Sequence, residues 1–401
     1  MSMSATGSSP RIHLPLLVSY GFRPFFLFAG VSAFGLVAAW LAVLAHGTWP
    51  AGPIAPAHWH AHEMLFGFTA SAIAGFLLTA VPSWTGTTAR SGWWLGVLVG
   101  LWLAGRAVVF PGLGVPPVAA ALIDLAFFPM LGVALAAPLI KAGKARNTAF
   151  LGLLALLGTA NLLFHLEWLG VLGNGVKQGE ALGIGVVLMM IAVVGGRIIP
   201  AFTRNALAMQ GIKAEVSSVQ TLEYVVLGST LLMIPADLIL PGSVVAGLLA
   251  LVAAVAHGLR LARWQGLKTL DQPIVWVLHA GYAWVPVGLA LKAAALLGGF
   301  VAETAWLHAI TTGAFATMIL AVMTRASLGH TGRPLVVGKP IAWAYRLLIV
   351  AAAARVLAAE VDALYWPLLD LAGLAWLATF AIYLAVYAPI LLSPRADGRP
   401  G

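Results

Sequence analysis

The hydrocarbon core of a bilayer is about 30 Å thick, so a spanning helix needs about 20 mostly apolar residues. A window of that length moved along the chain finds about twelve such stretches. Their approximate spans are 25–45, 62–82, 93–110, 118–140, 147–169, 181–203, 220–240, 243–264, 273–297, 303–325, 341–360 and 367–392. Pro and Gly mark many of the ends, as in Pro111-Gly112, Pro116-Pro117 and Pro241-Gly242. The seventh stretch, interrupted by Pro235 and Asp237, is the weakest. With 61% hydrophobic and 9% charged residues in 401, no soluble domain could cover its surface. The pattern predicts an all-α, polytopic transmembrane bundle of about twelve helices. Residues 1–24 form a cytoplasmic N-terminal segment, 25–392 one transmembrane domain and 393–401 a cytoplasmic tail.

Lys and Arg mark cytoplasmic loops. The loops after the even-numbered stretches carry Arg90; Lys141, Lys144 and Arg146; Arg204 and Lys213; Arg260, Arg263 and Lys268; and Arg325, Arg333 and Lys339. Arg11 and Arg23 precede or open the first stretch, and Arg395 and Arg399 follow the last. The alternate loops are nearly free of positive charge, Lys177 excepted. Both termini are therefore expected in the cytoplasm. The net charge of +9 expresses topology, with anionic lipid headgroups as counter-charge and no nucleic-acid partner. Residues 1–17 lack a long apolar core and an Ala-x-Ala site, so no cleaved signal peptide is expected. The chain has no cysteine, which excludes disulfides, thiolate copper, cysteine-bound iron–sulfur clusters and a thioether-linked c-type haem.

Three of the ten histidines fall within five residues, in His58-Trp59-His60-Ala61-His62-Glu63. Neutral imidazole binds copper, zinc and haem iron. As a helix, this segment puts His58 and His62 on one face and His60 nearly opposite. As extended chain it puts all three on one side. The predicted topology sets His46, His58, His60, His62, His165 and His308 at one outer level, where ligands from several helices can converge. Asn161 and His165 share a helix face. The competing explanation for such side chains is helix–helix hydrogen bonding. At the inner level, His257 and His279 form a possible second ligand pair. Arg197 and Arg325 sit near inner helix ends, where arginine either snorkels to headgroups or pairs with an anion. Asp124 and Glu223 are lone intramembrane carboxylates that could relay protons. Thr203-Arg204-Asn205-Ala206-Leu207 and Thr324-Arg325-Ala326-Ser327-Leu328 hint at a four-helix repeat.

Several stretches together resemble the NnrS family of membrane proteins linked to nitric oxide. They are Gly21-Phe22-Arg23-Pro24-Phe25-Phe26, Trp59-His60-Ala61-His62-Glu63-Met64-Leu65-Phe66-Gly67 and Thr79-Ala80-Val81-Pro82-Ser83-Trp84-Thr85-Gly86. Gly196-Arg197-Ile198-Ile199-Pro200-Ala201-Phe202-Thr203, His308-Ala309-Ile310-Thr311-Thr312-Gly313 and Leu328-Gly329-His330-Thr331-Gly332-Arg333-Pro334-Leu335 complete the set. The resemblance implies a bacterial inner-membrane protein that contains haem and copper and serves the response to nitrosative stress. The helix count and the outer histidines on the second and tenth helices also resemble, at the level of architecture, the catalytic subunit of haem–copper oxidases and nitric oxide reductases. By that likeness His62 and His308 would be the axial ligands of a b-type haem. The likeness fails at the second metal, leaving His58, His60 and His165 to build a copper site. Arg197, Arg325 and Glu63 would then pair with propionates or steady the ligands. The leading expectation is redox chemistry on nitric oxide, which requires an electron donor as a further partner. The alternatives are a transporter or metal exporter, and a haem- or NO-binding sensor without turnover.

Overall fold

The computed structural model describes residues 14–399 apart from Pro53 and Ala214. Residues 1–13 of the N-terminal segment, with Arg11 and His13, and residues 400–401 of the tail lie outside the described residues. A single helical turn, Leu14–Leu17, precedes twelve helices. They are α1 (Phe22–His46), α2 (Pro56–Thr85), α3 (Trp93–Val109), α4 (Pro117–Lys141), α5 (Ala145–Trp168) and α6 (Gly175–Met209). The second half comprises α7 (Gln220–Ile239), α8 (Val244–Ala262), α9 (Pro273–Gly298), α10 (Glu303–His330), α11 (Lys339–Ala358) and α12 (Tyr365–Leu391). No strand occurs among the described residues. Eleven helices are long and apolar enough to cross a membrane, and α3, at 17 residues, is shorter. Side chains such as Leu122, Val133 and Leu374 are more than half exposed on helix flanks. That much outward apolar surface needs lipid rather than water. The chain is an all-α, multi-pass membrane protein whose partner is the bilayer.

Local sequence explains the boundaries. Pro56, Pro117 and Pro273 sit in the first turns of α2, α4 and α9, where the missing N–H costs nothing. Gly47, Gly86 and Gly299 end α1, α2 and α9 in the left-handed conformation. Helix α7 runs unbroken through Pro235, and Asp237 on it is paired with Lys292 of α9 at 2.5 Å. Helices α2 and α6 begin about six residues earlier than hydropathy alone suggests, because their first turns carry His58, Lys177 and Glu180.

The chain closes on itself. Trp376 Nε1 of α12 donates to the Ala33 carbonyl of α1 at 2.7 Å, and Tyr383 Oη donates to the Phe26 carbonyl at 3.3 Å. At the centre stand α2 and α10, with 78% and 67% of their apolar windows buried against 17% for α1. Both contain a π-helical stretch, Glu63–Thr69 in α2 and Ala309–Ala316 in α10. A π turn holds one more residue than an α turn and re-aims the side chains around it, and such turns concentrate at functional sites. Here each begins directly after a histidine, His62 or His308. Val18 and Ala396 lie at the end of the bundle that carries the loops after α2 and α10: Ala396 N donates to Thr331 O at 2.9 Å, and Gly92 N to Val18 O at 2.8 Å. The N-terminal turns of α2 and α10 lie at the opposite end.

Candidate functional site

The segment Pro56–His62 is α-helical, not extended. Successive residues on an α-helix are rotated by about 100°, so His60 points away from His58 and His62. Two separate sites follow, one on each face of α2.

On the first face, His62 meets α4 and α5. His62 Nε2 lies 2.8 Å from Asn161 Oδ1 and 3.2 Å from Asp124 Oδ2, and His62 Nδ1 lies 3.0 Å from Glu63 Oε1. Asp124 Oδ2 also accepts from Asn161 Nδ2 at 2.8 Å and from His165 Nε2 at 2.9 Å. Arg106 of α3 donates to Glu63 Oε1 at 2.6 Å and to Asp124 Oδ1. His62, Glu63, Asp124 and His165 are all buried. Asp124 reaches this position because Gly105 faces it: a Cβ there would stand 2.5 Å from Asp124 Oδ1. One ligand atom from each of His62, Asp124 and His165 lies within 4.8 Å of the others. Two imidazoles and a carboxylate suit copper or zinc. Glu63 and Asp124 are shared here between one guanidinium and two imidazoles. His58, on the same side, is half-buried and lies 3.8 Å from Glu167 Oε1.

On the second face, His60 looks into a cavity of about 370 Å³ among α1, α2, α6, α10, α11 and α12. That volume lies within the range of small-molecule and cofactor sites. His308 of α10 lines the same cavity, as do Arg355 of α11 and Glu180 of α6. Aromatic side chains, Trp40, Phe68, Phe315 and Trp376, form much of its wall. Trp40 stacks on the His60 ring at 4.6 Å between centroids, 16° from parallel. His308 Nδ1 donates to the Thr304 carbonyl at 2.8 Å, since a carbonyl can only accept. That bond places the lone pair on Nε2, the tautomer a metal ligand requires. His60 Nδ1 and Arg355 Nη1 are buried and make no hydrogen bond among the described residues. Buried polar atoms without partners are uncommon in folded proteins and call for an explanation.

The helices thus bring His60, not His62, to the cavity of His308. They bring His62, not His60, to His165. The expected pairings exchange these two residues, because they followed an architectural likeness, which does not fix which face of α2 meets which helix. The expected anion partners also lie elsewhere. Arg197 reaches Asn147 Oδ1 at 3.5 Å, and Arg325 packs over the Phe202 ring at 3.7 Å; neither lines the cavity. Glu63 pairs with Arg106 and His62. His257 sits in a hydrogen-bonded network near the basic end, and His279 bonds separately to Thr203. Arg260 Nη1 donates to Tyr282 Oη at 2.9 Å, Tyr282 donates to His257 Nδ1 at 2.7 Å, and His257 Nε2 donates to Thr230 Oγ1 at 3.0 Å. Thr230 passes its own proton to the Val226 carbonyl, so both His257 nitrogens are committed. Glu223 is held by Arg260 Nε at 2.9 Å and by Nη2. The guanidinium passes over Gly196, where a Cβ would fall 1.8 Å from Arg260 Nη2. His279 Nε2 donates to Thr203 Oγ1 at 2.8 Å, and its Nδ1 is buried without a hydrogen bond among the described residues.

Three residues of these sites escape a reading built on histidines: Arg106, Arg355 and Glu180. Each is a lone charge in or beside an apolar stretch, and intramembrane charges are functional by default. That signal is present in the sequence, but it does not say which cavity each charge faces. The family model described as NnrS protein matches residues 16–395, nearly the whole chain. No curated protein matches it.

Proposed function

For a chain that belongs to the NnrS family, we propose a haem- and copper-containing protein of the bacterial inner membrane that acts on or binds nitric oxide. The observation that carries this reading is the cavity shared by His60 and His308. Its donor set fits a b-type haem: two imidazoles from different helices, flat aromatic walls and a buried guanidinium atom without a partner. His60 and His308 would hold the iron, and Arg355 would pair with a propionate. Copper fits the other face, held by His62, Asp124 and His165. When bound, these groups supply gas-binding and one-electron redox chemistry. The chain's own part is to orient and enclose. Trp40 fixes the plane of the His60 ring, the Thr304 carbonyl fixes the His308 tautomer, and the aromatic walls exclude water. Glu180 and Thr312 line the same space and give it polar groups that can hold or pass protons. Reduction of nitric oxide would draw electrons from a separate donor. The basic loops and both termini face the cytoplasm, and the two histidine sites lie in the outer half of a single transmembrane domain.

The test is the optical spectrum of purified protein, oxidised and reduced, with metal analysis on the same sample. Haem should be present in the wild type, lost in His60→Ala and His308→Ala, and retained in His62→Ala. Copper should be lost in His62→Ala and His165→Ala. Haem retained in both cavity variants would overturn the ligand assignment. A wild type free of haem and copper would overturn the whole reading and favour transport.

A further inference from the structure

At the end of the bundle opposite the loops after α2 and α10, a recess of about 270 Å³ leads inward between the loop before α2, the end of α3 and helices α4 and α5. Its rim is exposed, with Pro50 and Gly52 of the first loop and Leu113 of the loop after α3. Its floor is buried, with Ala120 of α4 and His165 and Trp168 of α5. His165 thus belongs both to the recess and to the cluster with His62 and Asp124. The function proposed above places this end of the bundle outside the cell. We infer that the recess is the path by which a copper ion passes between the outer aqueous phase and the site of His62, Asp124 and His165, so that this metal exchanges without entering the haem cavity.

Charge and packing favour this approach over the others. From the side of α3, an incoming cation meets the Arg106 guanidinium, which spans Glu63 and Asp124. Elsewhere the rings of Phe66 and Phe164 press on His62, with centroids 4.9 and 5.5 Å away. The recess presents neither obstacle, since no Lys, Arg, Asp or Glu lines it among the described residues. Its loops also suit a cation. Pro50, Pro111 and Pro117 in the wall have no N–H to present. The carbonyls of Pro50, Ala51, Gly112 and Gly114 accept no backbone hydrogen bond among the described residues. Carbonyl oxygens replace part of the hydration that a cation gives up on leaving water.

Trp168 stands at the inner limit of the recess. Its ring centroid lies 5.0 Å from that of His62 and 5.1 Å from that of His165. Its Nε1 is buried and makes no hydrogen bond among the described residues, so moving the ring aside breaks none. The cavity of His60 and His308 lies on the other face of α2 and shares no wall residue with the recess. The two sites therefore have separate access.

Copper at this site is part of the function proposed above, and two measurements keep that reading apart from the route. The chain has no cysteine, so Ala120→Cys supplies its one thiol. In spheroplasts, a charged, membrane-impermeant methanethiosulfonate reagent should label that thiol before the protein is purified. No labelling, or labelling only after the membrane is opened, would overturn the inference. The second measurement treats copper-loaded wild type, in vesicles with its outer face outward, with a membrane-impermeant chelator. Copper should be lost while the haem spectrum stays. Ala120→Leu, which narrows the floor, should slow that loss by about tenfold or more. Copper retained by the wild type, or lost equally fast from Ala120→Leu, would overturn the route, and the wild-type and thiol results decide it even where Ala120→Leu does not fold. Protein that is labelled from outside but takes up no copper would overturn the copper site itself, a result distinct from copper that is bound and does not exchange.

Discussion

At the basic end of the bundle, Arg260, Glu223, Tyr282, His257 and Thr230 form a closed chain in which every donor has its acceptor. At the opposite end, His60, His308 and Arg355 surround a space and keep atoms in reserve: an imidazole nitrogen, an Nε2 lone pair and a guanidinium nitrogen. Both regions bury histidine beside arginine, and from sequence they look alike. What separates them is saturation. A network that satisfies itself contributes to holding helices together, and a network that leaves groups unmet inside a cavity is prepared for something not made of protein. The cluster of His62, Asp124 and His165 lies between these extremes, because its atoms bond one another yet converge closely enough to share an ion.

The contrast can be broken most directly at the cavity. His308→Ala should abolish haem absorbance entirely while leaving the thermal unfolding of the apoprotein in detergent almost unchanged, because the histidine's one hydrogen bond runs to its own helix. A large fall in stability would show that His308 is structural after all. The mirror experiment is Arg260→Ala. Removing one partner of a buried ion pair costs about 3 kcal/mol or more, and the partial exposure of Glu223 places this case at the low end of that range. The melting temperature should fall clearly and the haem spectrum should stay. Gly196→Ala should reproduce the effect, since the added Cβ displaces the same guanidinium. Asp124→Asn should weaken copper binding by about tenfold or more and spare haem, as judged by metal titration. A loss of haem instead would join the two faces of α2 into one site. The smallest effect is expected at the exposed tail. The hydrogen bond from Arg395 draws the Asp397 carboxyl down to about 2. A depressed carboxylate stabilises the fold above its unfolded value and loses that contribution as pH falls through its folded one. Between about pH 4 and pH 2 the wild type should therefore lose a small increment of stability that Arg395→Ala does not, and above about pH 5 both should be flat, measured as melting temperature against pH.

Hydropathy made the twelve helices legible because a bilayer demands a fixed length of apolar chain. Asn161 and His165 were legible as a pair on one face, since their spacing is intrahelical. The faces that meet were not. Whether His60 or His62 opposes His308 depends on the turn of α2 and on which neighbours pack against it, and neither is a local property. Arg106 illustrates the same gap. It sits alone in an apolar run, and only the packing of α3 against α2 and α4 brings it between Glu63 and Asp124. Asp237 and Glu223 likewise acquire meaning from Lys292 and Arg260 on other helices.

The paired π turns make the length of the chain itself a functional determinant. Each carries one residue beyond an α-helical count, and each separates a histidine-bearing N-terminal piece from the rest of its helix. Deleting one residue between Glu63 and Thr69 would let that stretch return to regular winding while the pieces on either side keep their phase, so His60 and His62 would still face their own helices. Deleting one residue from the regular helix below the turn would instead rotate both histidines together by about 100° against the lower part of α2. The wide turns therefore mark where these two helices can lose a residue, and the α-helical stretches beside them mark where they cannot.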